Sequence, residues 1–210
     1  MKLTVLGATG GVGRCVVTQA LADGDRVTAV VRDPARLSVP THPRLDVVQA
    51  DALDPAQLGP LIAGRDAVIS SLGHRGSGPT TVLADGANAL VRAASEVGIR
   101  RVLFVSASGA YTEKDDDLVT RLVAKPLVRL FLRENFRDTE AMEQAIRASG
   151  LDWTIVRPPR LLDKPHTGRY RTGYEGVRGG YSVPRADVAD CLLSLMNDPA
   201  SVGRAVTVAS

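Results

Sequence analysis

The residues best suited to chemistry stand at the start of the chain. GATGGVGR, residues 7–14, sets glycines at Gly7, Gly10 and Gly13, with a fourth at Gly11. An apolar run, KLTVL at 2–6, precedes them, and a helical stretch, CVVTQALADG, follows. Flexible residues between a first strand and a first helix usually serve a phosphate. Gly7 allows the tight turn out of the strand. Gly10 keeps side-chain atoms away from the place a pyrophosphate would take, and Gly13 lets the helix pack closely on the sheet. The helix start, at Gly11 and Val12, then offers unpaired N–H groups and the positive end of the helix dipole. Thr9 adds a hydroxyl donor. Strand, glycine loop and helix in that order give the G-x-x-G-x-x-G spacing its weight, and together they predict a dinucleotide site.

The second strand ends VVRDPARL, residues 30–37. NAD-binding sites usually carry an acidic residue here, accepting from the adenine ribose hydroxyls. This chain has Arg32, with Arg36 four residues on. An arginine cannot accept from hydroxyls, but it pairs with a phosphate through charge-assisted bonds and can stack on adenine. The expected cofactor is therefore NADP(H) rather than NAD(H). Asp33 is expected to point away and cap the following turn.

Positioning these groups requires a regular frame. Apolar, β-rich runs fall at 2–6, 26–31, 45–49, 66–71, 101–106, 152–156 and 204–208. Several are almost continuously apolar, as parallel strands covered on both faces should be. Helical periodicity fits 12–22, 55–63, 80–97, 127–149 and 186–197. Asp54 before Pro55 has the form of an N-cap with proline at the first helical position. Gly98 and Gly150 have the form of C-terminal stops. Alternating strands and helices predict an α/β fold, a doubly wound parallel sheet in a single domain over 1–210. The stretches 112–133 and 163–183 are expected as excursions over the cleft.

Composition narrows the classes. With 210 residues and 44% apolar content, the chain can build a proper core. Its two cysteines, Cys15 and Cys191, form neither a disulfide framework nor a zinc pattern, and read as small buried residues. No metal site is expected. A net charge of +3 does not by itself imply nucleic acid. No apolar run approaches the ~18 residues of a membrane span. MKLTVLGATG enters a strand at once instead of forming a basic and apolar leader, so a cytoplasmic protein without membrane association is expected. Oligomeric state is left open.

The GATGxxG turn resembles the short-chain dehydrogenase/reductase superfamily in its atypical branch. Further stretches are similar to one group there, the biliverdin-IXβ reductase/flavin reductase-like proteins and their NmrA-like relatives. These stretches are VVRDPARL at 30–37, LGHRG at 72–76, PTTV at 79–82, FVSAS at 104–108, SGLDWTIVRPPRL at 149–161 and PRADVAD at 184–190. The resemblance implies a Rossmann-like fold. It implies that Asp51 and Ala52 contact adenine, although Asp51 reads almost as well as a loop cap. It implies that Leu72 and Gly73 pass the cofactor's ribose, with Arg75 as a third positive charge near the adenosine phosphate. Ser106 matches the serine near nicotinamide, and Pro158 and Pro159 match the proline pair lining that ring.

The superfamily's usual Tyr-x-x-x-Lys is absent. Four residues after Tyr111, Tyr170, Tyr174 and Tyr181 stand Asp115, Tyr174, Arg178 and Arg185. Tyr111 and Lys114 are one residue too close. This speaks against alcohol dehydrogenase chemistry. What the resemblance implies instead is NADPH-dependent hydride transfer to a small-molecule acceptor that is flat and conjugated, of flavin, quinone or tetrapyrrole-like type. Such acceptors can take their proton from solvent, so orientation does most of the work. Ser106 is expected to donate a hydrogen bond to the acceptor or the carboxamide, or else merely to satisfy backbone at a strand end. Tyr111, Arg160, His166 and Tyr170 are expected around the acceptor. The alternative is a non-catalytic NADP(H)-binding sensor of NmrA-like type. An epimerase would need a paired acid and base, and none is evident. The basic residues Arg121, Lys125, Arg129, Arg133 and Arg137 read as a solvated or lid face, with Glu134 and Asp138 as local counter-charge.

Overall fold

The computed structural model describes residues 1–74, 80–111 and 133–210. The predicted apolar runs become strands β1 (Lys2–Leu6), β2 (Arg26–Val31), β3 (Leu45–Gln49), β4 (Ala67–Ser70), β5 (Arg101–Val105) and β6 (Asp152–Arg157), and β10 (Arg204–Ala209) closes the chain. Between them lie helices α1 (Gly11–Ala22), α2 (Pro55–Ile62), α3 (Val82–Val97), α4 (Arg133–Arg147) and α5 (Arg185–Met196). Three short strands, β7 (Arg160–Leu162), β8 (Arg171–Gly173) and β9 (Ser182–Pro184), occupy the stretch that carries little pattern in the sequence.

The main sheet runs β3-β2-β1-β4-β5-β6-β10-β8. Its first seven strands are parallel neighbours, and β8 joins β10 antiparallel. This is the Rossmann-like single domain that the alternation of elements predicts. The strand order reverses between β1 and β4, which opens a crevice at their carboxyl ends, the usual ligand position in such sheets. One apolar cluster joins α1 and α5 to one face through Val16, Val17, Val188 and Leu192. A second joins α2, α3 and α4 to the other through Leu58, Leu90, Met142 and Ile146. The central strands are thus covered on both sides, which is why their runs are apolar without alternation.

The local stops form as expected. Asp54 accepts from Ala56 N–H at the start of α2, with Pro55 inside. Gly98 ends α3 in the left-handed region at φ 75°. Burial pushes the Cys191 thiol up to about 12, and burial also raises that of Cys15. Cys191 is buried in the cluster between α1, α5 and the sheet, and the half-buried Cys15 packs against it.

Segment 163–183 departs from expectation. None of its residues lines the cavity at the carboxyl ends of the strands, although Asp163 at its start bonds Arg185, which does. The segment runs out to the far edge of the sheet, where β8 pairs Arg171–Gly173 with Thr207, Val208 and Ala209 of β10. The cause is backbone hydrogen bonding: β10 has an open edge, and β8 satisfies it. Residues 112–132 of the other expected excursion, and the basic residues within them, lie outside the described residues.

Candidate functional site

A cavity of about 650 Å³ lies at the carboxyl ends of the strands, over the reversal of strand order. Its floor is the glycine loop. Gly7 takes φ +75°, and a Cβ there would stand 2.6 Å from the Ser71 carbonyl oxygen. That contact is the junction of β1 and β4, closed by Ser71 Oγ donating to the Leu6 carbonyl at 2.9 Å. A Cβ on Gly13 would sit 2.3 Å from the Gly7 carbonyl oxygen. Gly13 therefore sets the distance between helix and loop beneath the cavity, while Gly7, Thr9, Gly10, Gly11 and Val12 line it. No side chain caps α1 at Gly10. Its first turn thus keeps its donors for a ligand, and a dinucleotide pyrophosphate suits this cradle.

One end of the cavity lies beyond β2 and β3. Arg32 and Arg36 line it, and no carboxylate among the described residues pairs with either guanidinium. Asp33 accepts from Ala35 N–H at 3.1 Å and caps the turn between them. Asp51 and Ala52 line the same end. Asp51 Oδ1 also accepts from Leu53 N–H at 3.0 Å, so this side chain caps its loop while facing the cavity. The residues here fit an adenosine carrying a 2′-phosphate.

The other end lies beyond β4 and β5. Leu72, Gly73 and His74 leave β4, Ser106 and Ala107 leave β5, and Phe136 of α4 and Leu161 of β7 complete the wall. Ser106 is 8% exposed, and its hydroxyl donates to Glu143 Oε1 at 2.6 Å. This corrects the expectation that Ser106 donates to a ligand. Its single proton is committed to Glu143, so towards the cavity it can only accept.

Glu143 is 2% exposed and carries more than this bond. Arg157 Nε donates to its Oε1 at 2.9 Å and Arg157 Nη2 to its Oε2 at 2.6 Å. Arg147 Nη2 adds a contact to Oε2 at 3.1 Å. Tyr111 does not line the cavity. Its ring lies against the Arg157 guanidinium, 3.6 Å from centroid to carbon. Burial, and then the Glu143 charge, push its phenol well above the ordinary tyrosine value. A phenol so placed stays protonated, in keeping with the missing Tyr-x-x-x-Lys.

Several other expectations are corrected. Pro158 and Pro159 do not line the cavity. Pro158 is buried, and its carbonyl accepts from Ser108 N–H at 3.0 Å, holding the turn after β5 to the end of β6. Arg160 is exposed at the start of β7, also off the cavity lining. His166 and Tyr170 turn to α5 and not to the cavity: Tyr170 donates to Asp190 Oδ2 at 2.5 Å, and His166 Nε2 lies 3.6 Å from Asp190 Oδ1. Burial alone would raise the pKa of nearby Asp187. Bonds from the Thr167 hydroxyl and the Thr167 and Gly168 N–H groups outweigh this and hold it below the usual range. Arg75 lies outside the described residues.

Asp138 is not a surface counter-charge. It is 4% exposed and caps another helix, accepting from Leu83 N–H at 3.0 Å and Ala84 N–H at 2.9 Å in the first turn of α3. It also holds His74 Nε2 at 2.9 Å. Since the carboxylate can only accept, Nε2 carries a proton and the ring is fixed at the cavity wall. His74, Asp138 and Glu143 were not legible as site residues. The available signal was polar residues on the apolar stripe of α4, where Phe136, Met142 and Ile146 also lie. Asp138→Ala should lower stability by about 1–3 kcal/mol, because one buried and one half-buried N–H group lose their acceptor. Urea unfolding checks this, and an unchanged midpoint would contradict it.

Among the described residues, no cluster of His, Cys, Asp or Glu could hold a metal, and no helix is long and apolar enough to cross a membrane. Residues 7–199 match a family model described as NAD(P)H-binding. An uncharacterized sugar epimerase, YhfK of Bacillus subtilis, is 28% identical over 216 residues, covering 98% of this chain and 92% of that protein. A (4-alkanoyl-5-oxo-2,5-dihydrofuran-3-yl)methyl phosphate reductase of Streptomyces griseus is 33% identical over 160 residues, 76% of this chain and 48% of that protein. A short-chain dehydrogenase/reductase from Veillonella parvula, solved in complex with NADP, superposes with a TM-score of 0.80 at 19% identity, over 100% of this chain and 94% of that one.

Proposed function

We propose, from the premise that the chain belongs to the NAD(P)H-binding family, that it is an NADPH-dependent oxidoreductase passing hydride to a flat conjugated acceptor of flavin, quinone or tetrapyrrole-like type. The observation that carries this reading is one continuous cavity. It runs from Arg32 and Arg36, with which no carboxylate among the described residues pairs, across the glycine loop, to a wall of Ser106, Phe136 and Leu161. The nucleotide's charge is met at one end, and a wall of mixed apolar and polar side chains, Phe136 and Leu161 beside Ser106 and His74, stands at the other. The Streptomyces griseus relative named as a reductase supports the chemistry, and the NADP complex of the Veillonella parvula protein supports the cofactor.

When bound, the reduced nicotinamide supplies the hydride. The chain's residues place the reactants. Ser106, its proton held by Glu143, offers a lone pair suited to the two donors of a carboxamide. Phe136 gives an acceptor ring a face to stack on. His74 stands at the same end, its ring held by Asp138 through Nε2.

Arg32→Ala and Arg36→Ala should each weaken NADPH binding about 10- to 100-fold, the worth of a charge-assisted bond, and leave NADH nearly unchanged. Fluorescence titration with both nucleotides measures this. FMN, a quinone and biliverdin are then added while reduced nicotinamide absorbance is followed. Oxidation that depends on one of them supports the reductase. Tight NADPH binding with no oxidation by any of them favours a sensor, and preference for NADH would sink the roles given to the two arginines.

A further inference from the structure

Arg185 opens α5, and its side chain lies across the glycine loop. A Cβ built on Gly11 would come within 2.4 Å of Arg185 Cδ and 2.6 Å of its Nε. The same residue lines the cavity beside Gly10 and Gly11. Register puts it there. β7 pairs with β9 in parallel, Leu162 opposite Pro184, so the next residues, Asp163 and Arg185, emerge side by side. Arg185 Nη1 donates to Asp163 Oδ1 at 2.8 Å, while the Asp163 side chain is 84% exposed.

We infer that Arg185 is a cationic clamp on the pyrophosphate of the bound dinucleotide, and that Asp163 is a competing partner which the pyrophosphate displaces. The inference rests on the dinucleotide reading above. The glycine loop and the α1 N-terminus supply N–H donors from one side, but no full charge. Arg32 and Arg36 lie at the 2′-phosphate end. Arg185 brings a full positive charge to the middle of the cavity, and its planar fork fits two phosphate oxygens. A well-solvated carboxylate holds an arginine weakly, because water and salt screen the pair. A pyrophosphate between the loop and Arg185 is less screened and more highly charged, so the exchange favours the ligand. Gly11 is required on the same grounds: a larger residue there would push the arginine away.

The test is a set of dissociation constants for NADPH, NADH, ADP-ribose and adenosine 2′-monophosphate, measured by calorimetry. Arg185→Met should weaken the three pyrophosphate ligands by a common factor of about 10- to 100-fold and leave adenosine 2′-monophosphate unchanged. Arg185→Lys keeps the charge and loses the fork, so it should fall between. Asp163→Asn should tighten the same three ligands by up to about 5-fold, the size of one exposed ion pair. Equal loss for adenosine 2′-monophosphate, no loss for ADP-ribose, or weaker binding by Asp163→Asn would each overturn the clamp. If the unmodified protein binds none of the pyrophosphate ligands, the dinucleotide reading fails and takes the clamp with it. That outcome needs no variant, so it is distinct from a failure of Arg185 alone.

Discussion

Glu143→Ala should destabilise the protein by about 3–5 kcal/mol, the cost of breaking a buried ion pair from one side. The change takes two charge-assisted bonds from the Arg157 guanidinium, whose side chain is 11% exposed, and removes the acceptor for the Ser106 hydroxyl. Exposed pairs set the contrast. Arg92–Glu96, with side chains 73% and 56% exposed, is worth about 0–1 kcal/mol at most. The penalty comes from a buried charge that has lost its two-bond carboxylate partner, not from the net worth of the bridge. Replacing both partners, as Glu143→Leu with Arg157→Met, should therefore recover most of the loss. Urea unfolding of the two single variants and the pair decides it. A double variant as unstable as Glu143→Ala alone would show that packing, not the broken pair, sets the cost. Where folding is retained, Ser106 is free to turn its proton to the cavity, and the affinity for the nicotinamide half of the cofactor should fall.

The second large effect is expected at Gly13. Alanine is the better helix former by about 1 kcal/mol in an open helix. Here its Cβ would lie 2.3 Å from the Gly7 carbonyl oxygen, 2.7 Å from Ser71 Oγ and 2.9 Å from Ala8 Cα. Two of these are backbone atoms that cannot swing aside, so overpacking at about 1–3 kcal/mol outweighs the propensity gain. The Gly7 carbonyl also accepts from Gly10 N–H at 2.9 Å, so moving it distorts the loop that would hold a pyrophosphate. Gly13→Ala should lower the melting temperature and weaken NADPH binding together. At Gly11 the added carbon meets a side chain, Arg185, and Gly11→Ala should reduce affinity with less loss of stability. Equal melting temperatures for wild type and Gly13→Ala would refute the packing argument.

The repeating order of strands and helices was legible in the sequence because parallel strands covered on both faces must be apolar throughout, and helices beside them must show a 3.6-residue period. The glycine loop was legible because turn, close approach and close packing each demand a missing side chain at a fixed spacing. Asp33, Asp54 and Gly98 act within a few residues of themselves, so local chemistry sufficed. The tertiary structure alone decided what buried polar groups do. Asp138 reads as one more charge on a helix until α3, 54 residues earlier at Ala84, is seen to start against it. Glu143 becomes the partner of Ser106 only because α4 packs over β5 and β6. The strands β7, β8 and β9 have three residues each. That is too short for a period to show, and they form because a neighbouring edge offers hydrogen bonds. Arg185 follows the same rule: its charge is plain in the sequence, and its place over Gly11 comes from the register of two such strands.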